Sequence, residues 1–351
     1  MKGFFLKINS INNFRAISIV FVLASHSYGI AGIKFDDYFD IVLKNFFSGG
    51  TILFVFISGF LFHHVFYTNF YFKEFINKKI KNVLIPYFIL GVLPIIFYMY
   101  KGNSDFNGYF LPESDSFFDE FVVPVVKYYV SGRFLTAYWY IPFIMVVFLT
   151  SPLHIKFIKL TFNIQILIVS MLYVVSVYIH RPISNISLLQ SVVYFTPVYL
   201  VGILMSIYKE KLYAYLKGKD FILFSSFFGL ILYQSYIGDV GSYHKHAFDY
   251  GGVDIIFIQK IFMCIFFFIF LHRFEQLNNK VVNVIAATSF TSFFIHPYVM
   301  AVISVINPNM FKFDSWLIYF LFVLLLLFAC ISIALITKKI FPRHSRYIIG
   351  Y

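Results

Sequence analysis

The sequence predicts an all-α fold, a polytopic transmembrane helical bundle of about ten spans with its N- and C-termini cytoplasmic, and three observations predict it. First, the set Ala, Val, Ile, Leu, Met, Phe, Trp, Tyr and Cys makes up 60% of the 351 residues and charged residues only 13%. Ordinary soluble domains hold nearer a half and a quarter. With 50 Phe, 27 Tyr and a mean hydropathy of +0.81, too little polar surface remains to coat a water-soluble globule of this size. Second, the apolar residues form ten long continuous runs rather than an alternating pattern, as helices in lipid require and barrel strands do not. Third, the cations sort by side. Assigning the connections alternately, nineteen of the 28 Lys and Arg share a side with the N-terminus, eight lie opposite, and Lys260 falls inside a run. The positive-inside rule then makes the N-terminal side cytoplasmic, and acidic residues lean the other way, twelve against four. The net charge of +12 therefore reports membrane orientation, and nucleic acid is set aside as a partner.

In chain order, the run 16–33 follows the basic leader MKGFFLKINSINNFR with no small-residue cleavage site, so it is expected to stay as the first helix. The run 51–72 opens after Gly49 and Gly50, and 83–100 follows a lysine-rich loop and starts near Pro86. The longest connection, 101–134, carries Asp105, Glu113, Asp115, Asp119 and Glu120 and is expected outside, over an external cleft. Runs 135–153, 164–179, 188–208, 221–236, 253–271, 281–305 and 316–336 complete the ten, with Pro142, Pro197 and Pro297 as expected kinks. The chain 1–351 reads as a single membrane-embedded domain with no fused soluble domain and no repeat of solenoid length. Cys264 and Cys330 sit inside apolar runs with no Cys-x-x-Cys or Cys/His spacing, which reads as two small buried hydrophobes.

An ionisable side chain inside a span costs about 2.5–3.5 kcal/mol on insertion scales, so each demands a partner or a function. His26 stands first. Arg15 precedes it by eleven residues, and eleven steps of about 100° overshoot three turns by about 20°, so both share a face about 16 Å apart. One face of the first helix would join the cytoplasmic surface to mid-membrane. An anionic ligand gripped at Arg15 could reach His26, the side chain whose ordinary pKa suits proton transfer near neutrality. Spacing alone equally fits a flanking arginine and a packed histidine.

Asn13-Phe14-Arg15-Ala16-Ile17 followed by Ser25-His26 resembles the first helix of the acyltransferase-3 family of integral membrane O-acyltransferases. Gly49 to Leu61, ending Ser58-Gly59-Phe60-Leu61, is similar to that family's second-helix signature, and Leu84-Ile85-Pro86-Tyr87 to its proline-marked third helix. Tyr138-Trp139-Tyr140-Ile141-Pro142, Tyr199-Leu200-Val201-Gly202, and Ser289 with Phe293, Phe294 and His296-Pro297 resemble later motifs. Ser345-Arg346-Tyr347-Ile348-Ile349-Gly350 resembles the tail of the surface-polysaccharide and enterobacterial-common-antigen O-acetyltransferases. The loop before the third helix departs from the pattern. It carries Lys78, Lys79, Lys81 and Asn82 where the family has arginines, which replaces bidentate forks by point charges.

The resemblance implies an enzyme moving an acyl group, acetyl as a rule, from cytoplasmic acyl-CoA to a hydroxyl of a cell-envelope polysaccharide or lipid-linked glycan, in a bacterial inner membrane. It implies His26 as catalytic general base and Arg15, Lys78, Lys79 and Lys81 as acyl-CoA-binding residues, Lys79 aligning best with a family arginine. Acyl-CoA is then a co-substrate, with no permanently bound cofactor and no metal. The partners are the glycan acceptor and the bilayer, and a homo-oligomer is compatible with the sequence. A covalent acyl-enzyme remains the alternative to direct transfer, although no Gly-x-Ser-x-Gly elbow supplies a nucleophile.

Further candidates for acceptor binding or for structure are Ser58, Tyr138, Trp139, Lys260, Ser289 and His296. Small hydroxyls also serve close helix packing, Tyr138 and Trp139 also suit a membrane interface, and Lys260 could snorkel, pair across the bundle or line the acceptor path. His63 and His64, about 100° apart on a helix, read as packing. Two other classes stay open: a transporter or flippase of envelope glycans, which should show repeated halves, and a glycan polymerase, which should carry a larger external loop with arginines.

Overall fold

The computed structural model describes residues 8–103, 106 and 108–351. Lys2, Lys7 and Asp105 lie outside the described residues. Among the described residues, the ten principal apolar helical segments are, in chain order, α1 (Asn9–Ala31), α2 (Tyr38–Phe66), α3 (Phe72–Tyr100), α4 (Tyr140–Leu149 and Ser151–Ile158), α5 (Phe162–Ile179), α6 (Leu188–Ile207), α7 (Asp220–Tyr236), α8 (Ile255–His272), α9 (Lys280–Ile306) and α10 (Trp316–Ile340). Eight of them are each long and apolar enough to cross a membrane. The two halves of α4 meet the same test together, bent by 56°, and α7 is a 17-residue apolar helix. Among the described residues, β-structure is limited to a parallel pairing of Arg181–Pro182 with His244–Lys245. The protein is an all-α, multi-pass membrane bundle.

Its outer surface is that of a protein dissolved in lipid. Leu317, Leu321, Leu324, Leu325 and Phe328 are all exposed along α10, as are Leu167, Met171, Val174, Val175 and Tyr178 along α5. Patches of that size in water would aggregate.

The connections gather at two ends. At one, the backbone N–H groups of Asn9 and Ser10 donate to the Glu275 carboxylate at 2.6 and 2.9 Å, and Arg273 pairs with Asp220. At the other, the Lys34 N–H donates to Asp314 at 2.9 Å and the Asn45 amide to Ser235 at 3.0 Å. The start of α1 and the turn between α8 and α9 therefore share one end, as the alternating charge pattern requires. The final short helix, Ser345–Ile349, packs against α3 and α9.

The crossing of α2 over α6 is the most closely packed in the bundle. A methyl at Gly59 would stand 1.9 Å from the Tyr199 carbonyl oxygen, and one at Gly202 would stand 2.1 Å from that of Phe56. Two backbones can approach that far only where both lack a Cβ, the small-residue route to helix association in lipid.

Several boundaries differ from the sequence reading. Residues 38–47, assigned outside the second span, already form helix, and the break falls at Ser48, with Gly49 at φ +74°. That left-handed backbone is why the break carries a glycine. Lys260 of α8 secures it. Fully buried, its ammonium donates to the carbonyls of Asn45 at 3.2 Å and Phe46 at 2.5 Å, at the C-terminal end of residues 38–47. The last carbonyls of a helix lack intrahelical partners and favour a cation, so the bundle itself holds this lysine and no snorkelling is needed. In α4 the bend lies at Thr150, before Pro152, rather than at Pro142, while α6 and α9 run on through Pro197 and Pro297. The connection 101–134 is not all loop, since residues Val123–Ser131 form a helix.

Candidate functional site

Two of the cavities in the bundle open toward opposite ends and share Thr51 in their walls. The larger, about 910 Å³, lies toward the end that holds the start of α1. Arg15 and the lysines 78 and 79 line it, joined by Lys338 and by Arg346 from the final helix. Cations from four separate segments thus converge on one hollow whose remaining wall, including Phe54, Ile57, Phe62 and Ile144, is apolar. That combination suits a polyanion with an uncharged arm.

Within it, the Arg15 guanidinium donates to Ser289 Oγ at 3.2 Å, and Ser289 in turn donates to the Ala286 carbonyl at 2.8 Å. The Lys79 ammonium lies between the rings of Phe66, Phe75 and Phe148, at 5.0, 5.2 and 4.2 Å from their centroids. Rings hold a cation without neutralising it. Ser58 Oγ and Tyr140 Oη lie 3.5 Å apart on the same wall. Lys81 does not line this cavity, and Asn82 does.

The second cavity, about 370 Å³, has His26 in its wall together with Lys44, Arg133, Arg181 and His244, and residues 48–51 form one side. His26 stands nearer the outer end of α1 than the mid-membrane position read from sequence. The helix runs from Asn9, seven residues before the expected boundary, to Ala31, so His26 lies seventeen residues from its start and five from its end. Its Nδ1 lies 3.0 Å from Thr136 Oγ1, and its ring stacks on His296, centroids 5.4 Å apart. His296 is fully buried, and its Nδ1–H donates to the Ser292 carbonyl at 3.0 Å, while Nε2 meets no partner.

Arg181 is nine-tenths buried, with its guanidinium 4.8 Å from the Trp139 ring centroid, so Trp139 forms part of this wall rather than an interfacial belt. Arg133 lies over Phe106 at 4.6 Å and Lys44 over Tyr28 at 3.8 Å. Burial lowers Arg133 to about 10, still charged at neutral pH, and pushes His244 down to about 4, so that it is neutral there.

The structure therefore brings Arg15, Lys78, Lys79, Ser58 and Ser289 to one cavity and His26 and Trp139 to the other, with His296 behind His26. Tyr138 lines neither, since its hydroxyl donates to the Phe294 carbonyl at 2.9 Å in the core. Lys260 lines neither and supports the 48–51 wall from behind, a methyl at Gly49 coming within 3.3 Å of its stem. His63 hydrogen-bonds Ser206 at 2.9 Å, a packing role. Thr51, Thr136, Arg181 and Lys44 were not singled out by sequence, and Arg346 was noted only as part of the tail motif. Thr51 follows the double glycine and Thr136 precedes Tyr138-Trp139, so position within the motifs was the available signal; Arg181 lies in a polar connection with none.

The family model described as an acyltransferase domain matches residues 8–335. No curated protein and no solved structure matches the chain. Arg346 and the tail motif lie beyond the matched residues, whereas Arg15, Thr51, Thr136 and His26 lie within them. The chain thus belongs to the acyltransferase-3 family and is a multi-pass membrane acyltransferase.

Proposed function

We propose that the protein transfers an acyl group, acetyl in the simplest case, from acyl-CoA in the larger cavity to a glycan hydroxyl entering the smaller one. The observation that carries this reading is the shared wall at Thr51 between a cation-lined cavity and one containing His26. The positive-inside rule makes the Arg15 end cytoplasmic, where acyl-CoA is confined. Arg15, Lys78, Lys79, Lys338 and Arg346 then bind its phosphates by charge, and the extended pantetheine arm covers the distance of about 16 Å along α1 toward His26. Lys81 falls out of this set because it does not line the cavity.

His26 acts as general base. In the tautomer that leaves Nε2 free to accept a proton, Nδ1–H donates to Thr136 Oγ1, which fixes the ring. Nε2 takes the proton of the acceptor hydroxyl, the oxygen attacks the thioester carbon, and CoA leaves as thiolate. The N-terminus of residues 51–61 begins at the shared wall, and its positive dipole end favours the oxyanion of the tetrahedral intermediate. The acceptor is a cell-envelope polysaccharide or its lipid-linked precursor, and the membrane is a bacterial inner membrane. The tail resemblance supports the surface-polysaccharide subtype.

The test is transfer of label from radiolabelled acetyl-CoA in membranes supplied with host envelope glycans, protein levels matched. Label should appear in glycan with the wild type and fall by about 10²–10⁴ with His26→Ala, while Arg15→Ala should raise the acetyl-CoA requirement. Transfer that survives His26→Ala would remove its role as base. Loss of surface glycan on deletion, with no transfer by the wild type, would favour a transporter or polymerase.

A further inference from the structure

The smaller cavity carries more positive charge than the transfer step uses. Lys44, Arg133 and Arg181 line it, and among the described residues no Asp or Glu does. Among the described residues none of the three forms an ion pair. Arg181 is the most demanding. Among the described residues its two terminal nitrogens donate to neutral oxygens alone, Ser242 Oγ at 3.1 Å and Asn185 Oδ1 at 2.9 Å, and its buried Nε meets no partner. The Arg133 Nε is likewise buried and unpartnered. Asp254 acts on Arg181 through its field, while its carboxylate oxygens accept from the Tyr194 hydroxyl at 2.9 Å and the Phe257 N–H at 3.0 Å.

A buried guanidinium with no direct ion pair among the described residues is expensive, and packing alone would be better served by an apolar side chain. The CoA phosphates do not explain it, because the opposite cavity holds its own cations. A direct partner for Arg181 can come with the molecule that enters this side. We propose that the acceptor glycan is anionic, and that Arg181, with Lys44 and Arg133, binds a carboxylate or phosphodiester on the acylated sugar or its neighbour. The planar fork of Arg181, backed by Trp139, suits bidentate contact with either group. The cavity volume of about 370 Å³ fits a sugar with one such substituent.

This rests on the acyltransferase reading, and one experiment separates the two. The intact protein in membranes receives radiolabelled acetyl-CoA and envelope glycan in three forms: untreated, reduced at its carboxylates with carbodiimide and borohydride, and freed of phosphodiesters with mild hydrofluoric acid. At least one treatment should lower labelling tenfold or more, and which one does so identifies the anion. Arg181→Gln, which can still bond Ser242 and Asn185, should raise the apparent KM for untreated glycan at least tenfold with the KM for acetyl-CoA unchanged. Arg181→Lys should recover part of the loss. If Arg181→Gln fails to elute as a folded species, Arg133→Gln takes its place with the same expected split. Both treated glycans labelled as well as untreated would overturn the proposal and leave the acyltransferase standing. No labelled glycan from the wild type in any form would remove both.

Discussion

Adding one methyl at Gly59 should destabilise this bundle more than most buried substitutions do. The new Cβ would lie 1.9 Å from the Tyr199 carbonyl oxygen, where Cβ contacts under 3.0 Å are essentially unknown. The obstacle is backbone, so no rotamer change relieves it, and α2 and α6 must part by about 1 Å along a close-packed crossing. Overpacking of this kind costs about 1–3 kcal/mol or more. Gly202→Ala meets the Phe56 carbonyl oxygen at 2.1 Å from the other side and should cost about as much. The two changes should not add. Once the helices have separated for one methyl, the second enters space already opened, so the double variant should be more stable than the sum predicts. The assay is thermal unfolding of the detergent-solubilised protein, read by loss of the monodisperse size-exclusion peak for wild type, both single variants and the double. Activity gives a second readout, because Ser58 and Tyr199 border the larger cavity beside this crossing. Single variants that unfold with the wild type would refute the close approach, and strict additivity would refute the shared separation.

Thr136→Val should lower kcat about five- to tenfold by releasing His26 Nδ1, the worth of one hydrogen bond of about 1 kcal/mol, with the KM for acetyl-CoA unchanged. An unaltered kcat would show that the ring is held by its stack on His296 alone. Arg346 is exposed at the mouth of the larger cavity, so Arg346→Ala should raise the KM for acetyl-CoA by no more than about fivefold, a surface-charge effect of about 1 kcal/mol that higher salt should shrink. Lys260→Met keeps the stem but leaves the carbonyls of Asn45 and Phe46 without their donor, and should cost about 1–3 kcal/mol of stability in the same unfolding assay; no loss would mean that water replaces the ammonium. The last concerns pH. His244 titrates near 4 in the folded protein against an ordinary 6.5, because burial disfavours its charged form. Below about 6.5 the unfolded chain takes up a proton that the folded one refuses, so stability should fall from there toward about pH 4 and no further. His244→Gln should make the Tm curve flatter across that window, and an unchanged slope would contradict the assignment.

The helical architecture was legible because lipid makes hydropathy nearly decisive: continuous apolar runs can only be helices there. What hydropathy does not see is where a helix starts in water. Residues 38–47 and the first two turns of α1 are too polar to score as membrane, yet they are helical, and the longer helix has His26 in its last third rather than at its middle. Arg15 and His26 were legible because each breaks an apolar pattern at a helical interval. Arg181 and Arg133 broke nothing, lying in polar connections where a cation is unremarkable until the fold turns it into a cavity wall. Lys260 was conspicuous for the same reason as His26, but its partners are backbone carbonyls, which no side-chain pattern announces.

The shared wall at Thr51 has an electrical consequence. On the proposed reading, water-filled hollows reach it from both faces, so most of the membrane voltage drops across that thin partition rather than across the whole bundle. A single charge crossing it gains about 2.3 kcal/mol per 100 mV. An opening wide enough for an acetyl group is wide enough for a hydrated proton, so a cell growing on its proton gradient can tolerate only a partition that gives way for the thioester and closes behind it. Loosening residues 48–51 should therefore appear first as a conductance, before any acyl group is misdirected.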